Sequence, residues 1–433
     1  MAVSESVYEL LTNEDDARHC TEIGDEACRE APMSFTYMLL SYCFTKFGDT
    51  IVNPKTTLAW LASLVGAPAF VVGLIVPIRE SGSMIPQSII GGFIRRLPVR
   101  KWVWVVGSLG QSLCIFSLGL VALYLSGHVA GWSIVGLIAA FSLFRGLCSI
   151  AAKDVLGKTI PKPKRGQLTG WSASVAGFLS IGVGATLLAS FGAELDSGHL
   201  AGLMFVAAAL WLLGAAMFSR ISEHAGAVDG GSTAIEGIRR LRIVFTDKPF
   251  RQFVFTRALL MCSALSAPFY VVAAQQLPGA DARLLGAFII AAGVASLVSA
   301  PIWGRYSDKS SKQVMIAAAL VTSLTGVTVF LVGRFAEALF ETAWFLPLSF
   351  FVLSVAHAGV RVGRKTYVVN LGTGNQRTAY VSVSNTLIGV LLLAVGAVGA
   401  LVPLIGNDGV IGLLALLGFA GAAYGLQLPE VND

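Results

Sequence analysis

From Met33 onward the chain is a succession of long apolar stretches joined by short polar connections. The stretches run from Met33 to Asn53, Gly66 to Arg95, Lys101 to Ser126, Ser133 to Lys158, Gln167 to Phe191 and Leu200 to Arg220. Six more run from Arg251 to Gln275, Leu284 to Ser307, Gln313 to Arg334, Trp344 to Asn370, Ala379 to Leu404 and Val410 to Leu428. A helix that crosses a bilayer needs about 20 predominantly apolar residues, and in hydrocarbon its backbone must be satisfied by its own hydrogen bonds. The pattern therefore predicts an all-α integral membrane protein with twelve transmembrane helices.

The last six stretches echo the first six at one constant spacing, and the echo falls on polar positions. Lys153 answers to Lys365, Arg165 to Arg377, Ser172 to Ser384, Gly177 to Gly389 and Gly92 to Gly304. Lys46, in Phe44-Thr45-Lys46, answers to Arg257, in Phe255-Thr256-Arg257, at a spacing one residue shorter. A duplicated half is the sequence trace of a transporter whose two bundles rock about a central site. The division it predicts is an acidic cytoplasmic tail at 1–32, a six-helix bundle at 33–220, a cytoplasmic linker at 221–248, a second bundle at 249–428 and a short tail at 429–433, the bundles related by a pseudo-two-fold axis. In the linker, Thr233 and Glu236 have capping-box spacing ahead of Ile235, Ile238, Leu241 and Phe245, which predicts an amphipathic surface helix.

Composition agrees with a lipid-facing surface: 55% of residues are hydrophobic and 13% charged, against about a quarter charged in a soluble domain. The net charge is +6 although the first 32 residues hold nine acids against Arg18 and Arg29. The bases sit in short loops between apolar spans, a pattern of membrane orientation rather than of nucleic-acid binding. Arg95, Arg96, Arg100 and Lys101, then Lys158, Lys162, Lys164 and Arg165, then Arg305, Lys309 and Lys312 all fall on one side, while Ser126 to Trp132, Gly192 to His199 and Ile405 to Gly409 carry no Lys or Arg. The basic side is thus expected to be cytoplasmic, with both termini inside and no cleavable signal after Met1. Cys20 and Cys28, with His19, are too sparse for a metal site, and as thiols of a reduced tail they predict no disulfide framework.

Ionised side chains deep in a bilayer cost at least about 2.5 kcal/mol, so those retained face a protein interior or an aqueous cavity. The second stretch carries Arg79 and Glu80 between Pro77 and Pro86, either a solute or proton site or an ion pair that locks helices together. Lys46 and Asp49 lie three apart on one helical face, either paired with each other or facing Arg79 and Glu80, and Asp49 is a candidate proton carrier. Arg145 lies near mid-depth with Asp154 beyond it; in the other half His357 stands opposite Arg145, followed by Arg361, Arg364 and Lys365. Arg257 is a gate or an interfacial anchor, and Lys55 to Trp60 reads as an external turn. Cations dominate this set, which favours an anionic or zwitterionic solute.

Several segments resemble the major facilitator superfamily. Gly304-Arg305-Tyr306-Ser307-Asp308-Lys309-Ser310-Ser311-Lys312 is similar to the family's loop signature between helices eight and nine. Its counterpart, Gly92 to Lys101, keeps the glycine and the bases but has Arg96 in place of the acid. Phe144-Arg145-Gly146 resembles the fourth-helix signature, while the proline-containing fifth-helix signature of drug and proton antiporters is missing from Ser174 to Gly184. The resemblance implies that Arg145 takes part in proton or substrate coupling. It also implies that Gly304, Asp308 and Lys309 form a conformational latch, with Asp308 capping the helix that begins near Gln167.

The sequence thus predicts a secondary transporter in a bacterial-type inner membrane. It would act as a monomer without cofactor or metal, moving a small anionic or zwitterionic solute by alternating access with protons as a candidate coupling ion. The candidate site residues are Lys46, Asp49, Arg79, Glu80, Arg145, Asp154, His357 and Arg361. The alternative is a transporter-like sensor that binds a solute without moving it. An enzyme finds no support in paired acids, a nucleophile elbow or a phosphate-cradling loop.

Overall fold

In the computed structural model, residues 25–85, 94, 96–189, 196–225, 241–372 and 375–431 are described. Among them every regular element is helical: α1 (Asp25–Ile51), α2 (Thr57–Leu64), α3 (Ala69–Met84), α4 (Lys101–Tyr124), α5 (Gly127–Thr159), α6 (Lys162–Ala189) and α7 (Ser197–Ser219), then α8 (Lys248–Leu259), α9 (Ala267–Gln275), α10 (Ala282–Lys309), α11 (Ser311–Phe335), α12 (Phe345–Leu371), α13 (Asn375–Gly396) and α14 (Val402–Gly425). Nine helical stretches among the described residues are long and apolar enough to cross a membrane, one of them the 46-residue run Tyr380–Gly425. The fold is an all-α, multi-pass membrane fold.

The side chains are distributed as lipid demands. On α4, Val106, Leu113 and Phe116 point outward, whereas Ser108, Gln111 and Ser112 are buried. Ser108 Oγ donates to the Trp211 carbonyl at 2.9 Å and Ser112 Oγ to that of Ala208 at 2.7 Å, so small polar groups join α4 to α7. Outside the spans, Asp196 caps α7 by accepting from the His199 N–H at 2.8 Å, and that bond holds its carboxyl below the usual carboxylate range.

Some predicted boundaries move. The expected external turn is instead the start of α2, whose Thr57–Ala62 are buried, so the chain folds inward at Asn53 and Pro54. The seventh stretch is broken: α8 ends at Leu259, a single helical turn covers Cys262–Leu265, and α9 restarts beside Pro268, which has no N–H to continue a ladder. The change of helix expected between Leu404 and Val410 falls at Gly406, in the left-handed region at φ 77°, where the run from Val402 to Gly425 is kinked; a 3₁₀ turn at Ala397–Leu401 precedes it. Helix α1 already begins at Asp25, inside the expected tail, and Cys28 is disulfide-bonded rather than reduced. Residues 1–24, Gly92, Arg95 and the linker segment 226–240, with Thr233 and Glu236, lie outside the described residues.

Helices α1, α3, α4, α5 and α7 pack on one another, as do α10, α11, α12 and α14, and the two groups meet where α6 packs on α10 and α3 on α13. These meetings are too close for side chains. A Cβ on Gly73 would stand 2.8 Å from the Gly396 carbonyl oxygen, and one on Gly184 would stand 3.0 Å from that of Gly286. Nearby, Gln275 Nε2 donates to the Trp60 carbonyl at 3.2 Å. Gly73, Gly184 and Trp60 all lie toward the helix ends remote from the basic loops. Gly73→Leu is therefore expected to lower the apparent Tm of the detergent-solubilised protein clearly, since overpacking against backbone costs about 1–3 kcal/mol. Gly136→Ala, at a position with open space around it, should leave the Tm unchanged; equal Tm values for the two variants would contradict this packing.

Candidate functional site

The site is organised around one carboxylate. Asp49 sits near the end of α1, where Arg79 of α3 and Arg145 of α5 both reach it. Arg79 Nη2 lies 2.6 Å from Asp49 Oδ1, and Arg145 Nη1 lies 2.5 Å from Oδ1 and 2.7 Å from Oδ2. Arg79 is 6% exposed, and its guanidinium rests 4.4 Å from the ring centroid of Phe141. Phe141 and Arg145 are four apart on α5, so one helical face supplies both the aromatic floor under one guanidinium and the second guanidinium. Charge-assisted bonds of this kind are about twice as strong as neutral ones, and here they tie three helices at one point.

This cluster forms one wall of a cavity of about 330 Å³, within the size range of small-molecule sites. The opposite wall comes from the second repeat. His357, Arg361 and Arg364 occupy one face of α12 at helical spacing, and Arg257 enters from α8. His357 Nδ1 lies 3.0 Å from Ser263 Oγ. Arg257 Nη1 donates to Ser384 Oγ and Nη2 to Asn385 Oδ1, both at 2.9 Å, while its buried Nε has no partner among the described residues. Lys55 and Glu80 complete the lining. Six cations therefore face two carboxylates, and Asp49 is already taken by two of the cations.

A cavity of about 170 Å³ adjoins it, sharing Lys55, Ser263, His357 and Arg361. Another, of about 270 Å³, lies beyond the Asp49–Arg145 pair against Tyr42, Lys46, Trp104 and Gln111.

Of the residues picked out by sequence, the cavity brings together Asp49, Arg79, Glu80, Arg145, His357 and Arg361. Lys46 does not pair with Asp49; its Nζ lies 2.6 Å from Ser172 Oγ and 3.1 Å from the Thr169 carbonyl, on α6. Asp154 lies apart from the cavity and pairs with Arg100 at 3.1 Å. Gly304 and Lys309 fall in the last two turns of α10, with Lys309 exposed, and the Asp308 side chain lies outside what is described. Two cavity cations were misjudged from the pattern. Lys55 reads as part of an external turn because the sequence does not announce α2, and Arg364 is absent from the candidate site although its spacing from His357 and Arg361 puts all three on one face.

The repeat has a physical counterpart here. Lys46 bonds Ser172 in the first half, and their repeat partners Arg257 and Ser384 bond each other in the second. Among the described residues no cluster of His, Cys, Asp and Glu is placed to hold a metal.

Comparison with known proteins comes down to one family. Residues 38–397 match the model of the Major Facilitator Superfamily, whereas no curated protein matches the sequence. The fold is similar to the inward-open xylose transporter XylE from E. coli, with a TM-score of 0.68 at 14% identity over 92% of this chain and 97% of that one. It is also similar to a nucleoside transporter, NupG, with a TM-score of 0.67 at 12% identity over 92% and 98% of the two chains. A POT family transporter crystallised with a thioalcohol-conjugated peptide gives 0.66 at 13% identity over 90% and 94%. The family match spans most of the sequence and the shared fold nearly all of it: this chain belongs to the Major Facilitator Superfamily and is a membrane transporter, not an enzyme.

Proposed function

We propose that this transporter carries a small anionic solute, or a zwitterion held by its anionic end, across a bacterial-type inner membrane by alternating access. The carrying observation is the cavity itself, where six cations face two carboxylates between the two repeats. Fixed positive charge in a low-dielectric enclosure raises the local concentration of anions and penalises cations. The same observation speaks against a lipophilic cation as substrate.

The architecture in this reading is twelve spans in two six-span bundles, 33–220 and 249–428. Tyr380–Gly425 contributes two spans because 46 residues of helix exceed twice the length one crossing needs. Helices α1 and α3 cross as well; α3 covers only 16 described residues, fewer than one crossing needs. Both termini and the linker lie on the basic, cytoplasmic side, and the protein acts as a monomer. The close packing at Gly73, Gly184 and Trp60 closes the far side, so this state faces the cytoplasm. Gly304, Asp308 and Lys309 would latch the opposite state.

Proton coupling runs through Glu80 rather than Asp49. Asp49 is held by two guanidiniums, whereas the Glu80 carboxylate has no hydrogen-bond or ion-pair partner among the described residues and faces the same cavity. An arriving anion competes with Glu80 for the surrounding cations, and protonation of Glu80 relieves the repulsion between them.

In proteoliposomes, Glu80→Gln is expected to abolish the dependence of solute accumulation on the pH gradient while counterflow persists. Undiminished pH-gradient dependence in this variant would remove the coupling assignment. Asp49→Asn is expected to do more damage, because it leaves the buried guanidinium of Arg79 and the partly exposed one of Arg145 without a counter-charge. Breaking a buried pair costs about 3–5 kcal/mol, read as a large fall in Tm together with loss of transport.

A further inference from the structure

The cations of the cavity fall into two sets. Arg79 and Arg145 share the Asp49 carboxylate. Lys55, Arg361 and Arg364 have no side-chain hydrogen bond or ion pair among the described residues, and Arg257 is held by the neutral Ser384 and Asn385 with its buried Nε left over. Glu80 is the one carboxylate of the lining that faces this second set without being claimed by the first. We propose that Lys55, Arg257, Arg361 and Arg364 form a subsite for a compact dianion, a solute carrying two negative charges close together. This rests on the reading of the cavity as the solute chamber of an anion transporter.

Charge and shape both favour two charges over one. Against four cations, Glu80 supplies one compensating charge; a bound monoanion leaves two uncompensated and a dianion leaves one. Of the four, Arg257 is buried and Lys55 and Arg364 half-buried; a cation withdrawn from water is costly without a counter-charge, so at these three positions the enclosure adds to what direct contacts give a dianion. Arg361 and Arg364 are three apart on α12, and guanidinium groups match the planar, two-oxygen edge of carboxylate and phosphate. Arg257 is fixed from behind by Ser384 and Asn385, which lowers the entropy lost on binding. The neutral Ser263 hydroxyl and His357, bonded to each other beside Arg361, supply hydrogen bonds for a polar group between the charges. Dicarboxylates and phosphate monoesters share this chemistry.

The test is a thermal-shift titration of the full-length, detergent-solubilised protein. Its probes are succinate, glutarate, glycerol phosphate and glucose phosphate, set against butyrate, acetate, succinamide, glycerol and glucose at matched ionic strength. A ligand that binds the folded state raises the apparent Tm saturably. Expected is saturable stabilisation by a dicarboxylate or by a phosphate monoester, whichever source supplies the dianion, with monoanions and neutral analogues inactive at the same concentrations. Arg361→Gln and Arg364→Gln should each raise the half-saturating concentration about tenfold or more, as deletion of a charge-assisted contact does. Arg283→Gln, outside the cavity, should not. Butyrate or acetate acting as strongly as the dianions overturns the dianion and leaves the anion reading standing. No response to any of these dianions also overturns it, and stabilisation by succinamide, glycerol or glucose alone overturns the anion reading with it. Should either variant fail to fold, the comparison of probes on the unmutated protein decides alone.

Discussion

One carboxylate shared by two guanidiniums governs the centre of this molecule. Arg79 and Arg145 come from different helices, and a guanidinium in the middle of a membrane bundle is costly to hold without a counter-charge. Asp49 supplies it from a third helix, and the Phe141 ring lies against Arg79. The three groups fix the relative depth of α1, α3 and α5. The clamp also consumes the negative charge of Asp49, so the remaining lining is left positive.

That surplus lies mainly on the far wall, and it arises where the two repeats have diverged. The repeats retain a scaffold contact, Lys46 to Ser172 and Arg257 to Ser384. At the cavity they differ: Asp49, at the spacing of Lys46 and Arg257, corresponds to Leu260, and at the spacing one residue longer Arg79 and Glu80 correspond to Ala291 and Ala292, and Arg145 to His357. The first repeat therefore carries its own charge compensation, whereas the second presents Arg257, Arg361 and Arg364 without an acid of its own. Duplication accounts for the frame, and asymmetry at these positions accounts for the chemistry. Glycine contacts such as Gly73 with Gly396 and Gly184 with Gly286 let the two groups of helices approach to backbone distance on one side of the cavity.

Much of this was legible in the sequence because the bilayer is a severe solvent. Hydrocarbon forces long apolar stretches, so nearly every helix was visible, and it penalises buried charge, so Asp49, Arg79, Glu80, Arg145, His357 and Arg361 stood out. What stayed hidden depends on tertiary geometry. Nothing local to Lys55 announces that α2 folds inward and turns the lysine toward the cavity. The break after Leu259 rests on packing around the Cys262–Leu265 turn as much as on Pro268. Lys46 and Asp49 share a helical face, yet each finds its partner on another helix, and Asp154 pairs with Arg100 because α5 extends past the basic loop. Spacing along a helix states which residues are neighbours on its surface; which neighbour wins is settled by what packs opposite.

The central claim is that the cation-lined chamber carries an anion across the membrane instead of merely binding it. Counterflow tests this directly: proteoliposomes preloaded with an unlabelled dianion identified by thermal shift receive a trace of the labelled compound outside, with no imposed ion gradient. The expected result is a transient internal accumulation of label that disappears when the chamber cations Arg361 and Arg364 are both replaced by Gln. Saturable binding of the same dianion with no counterflow would contradict the claim and describe a sensor built on a transporter's frame.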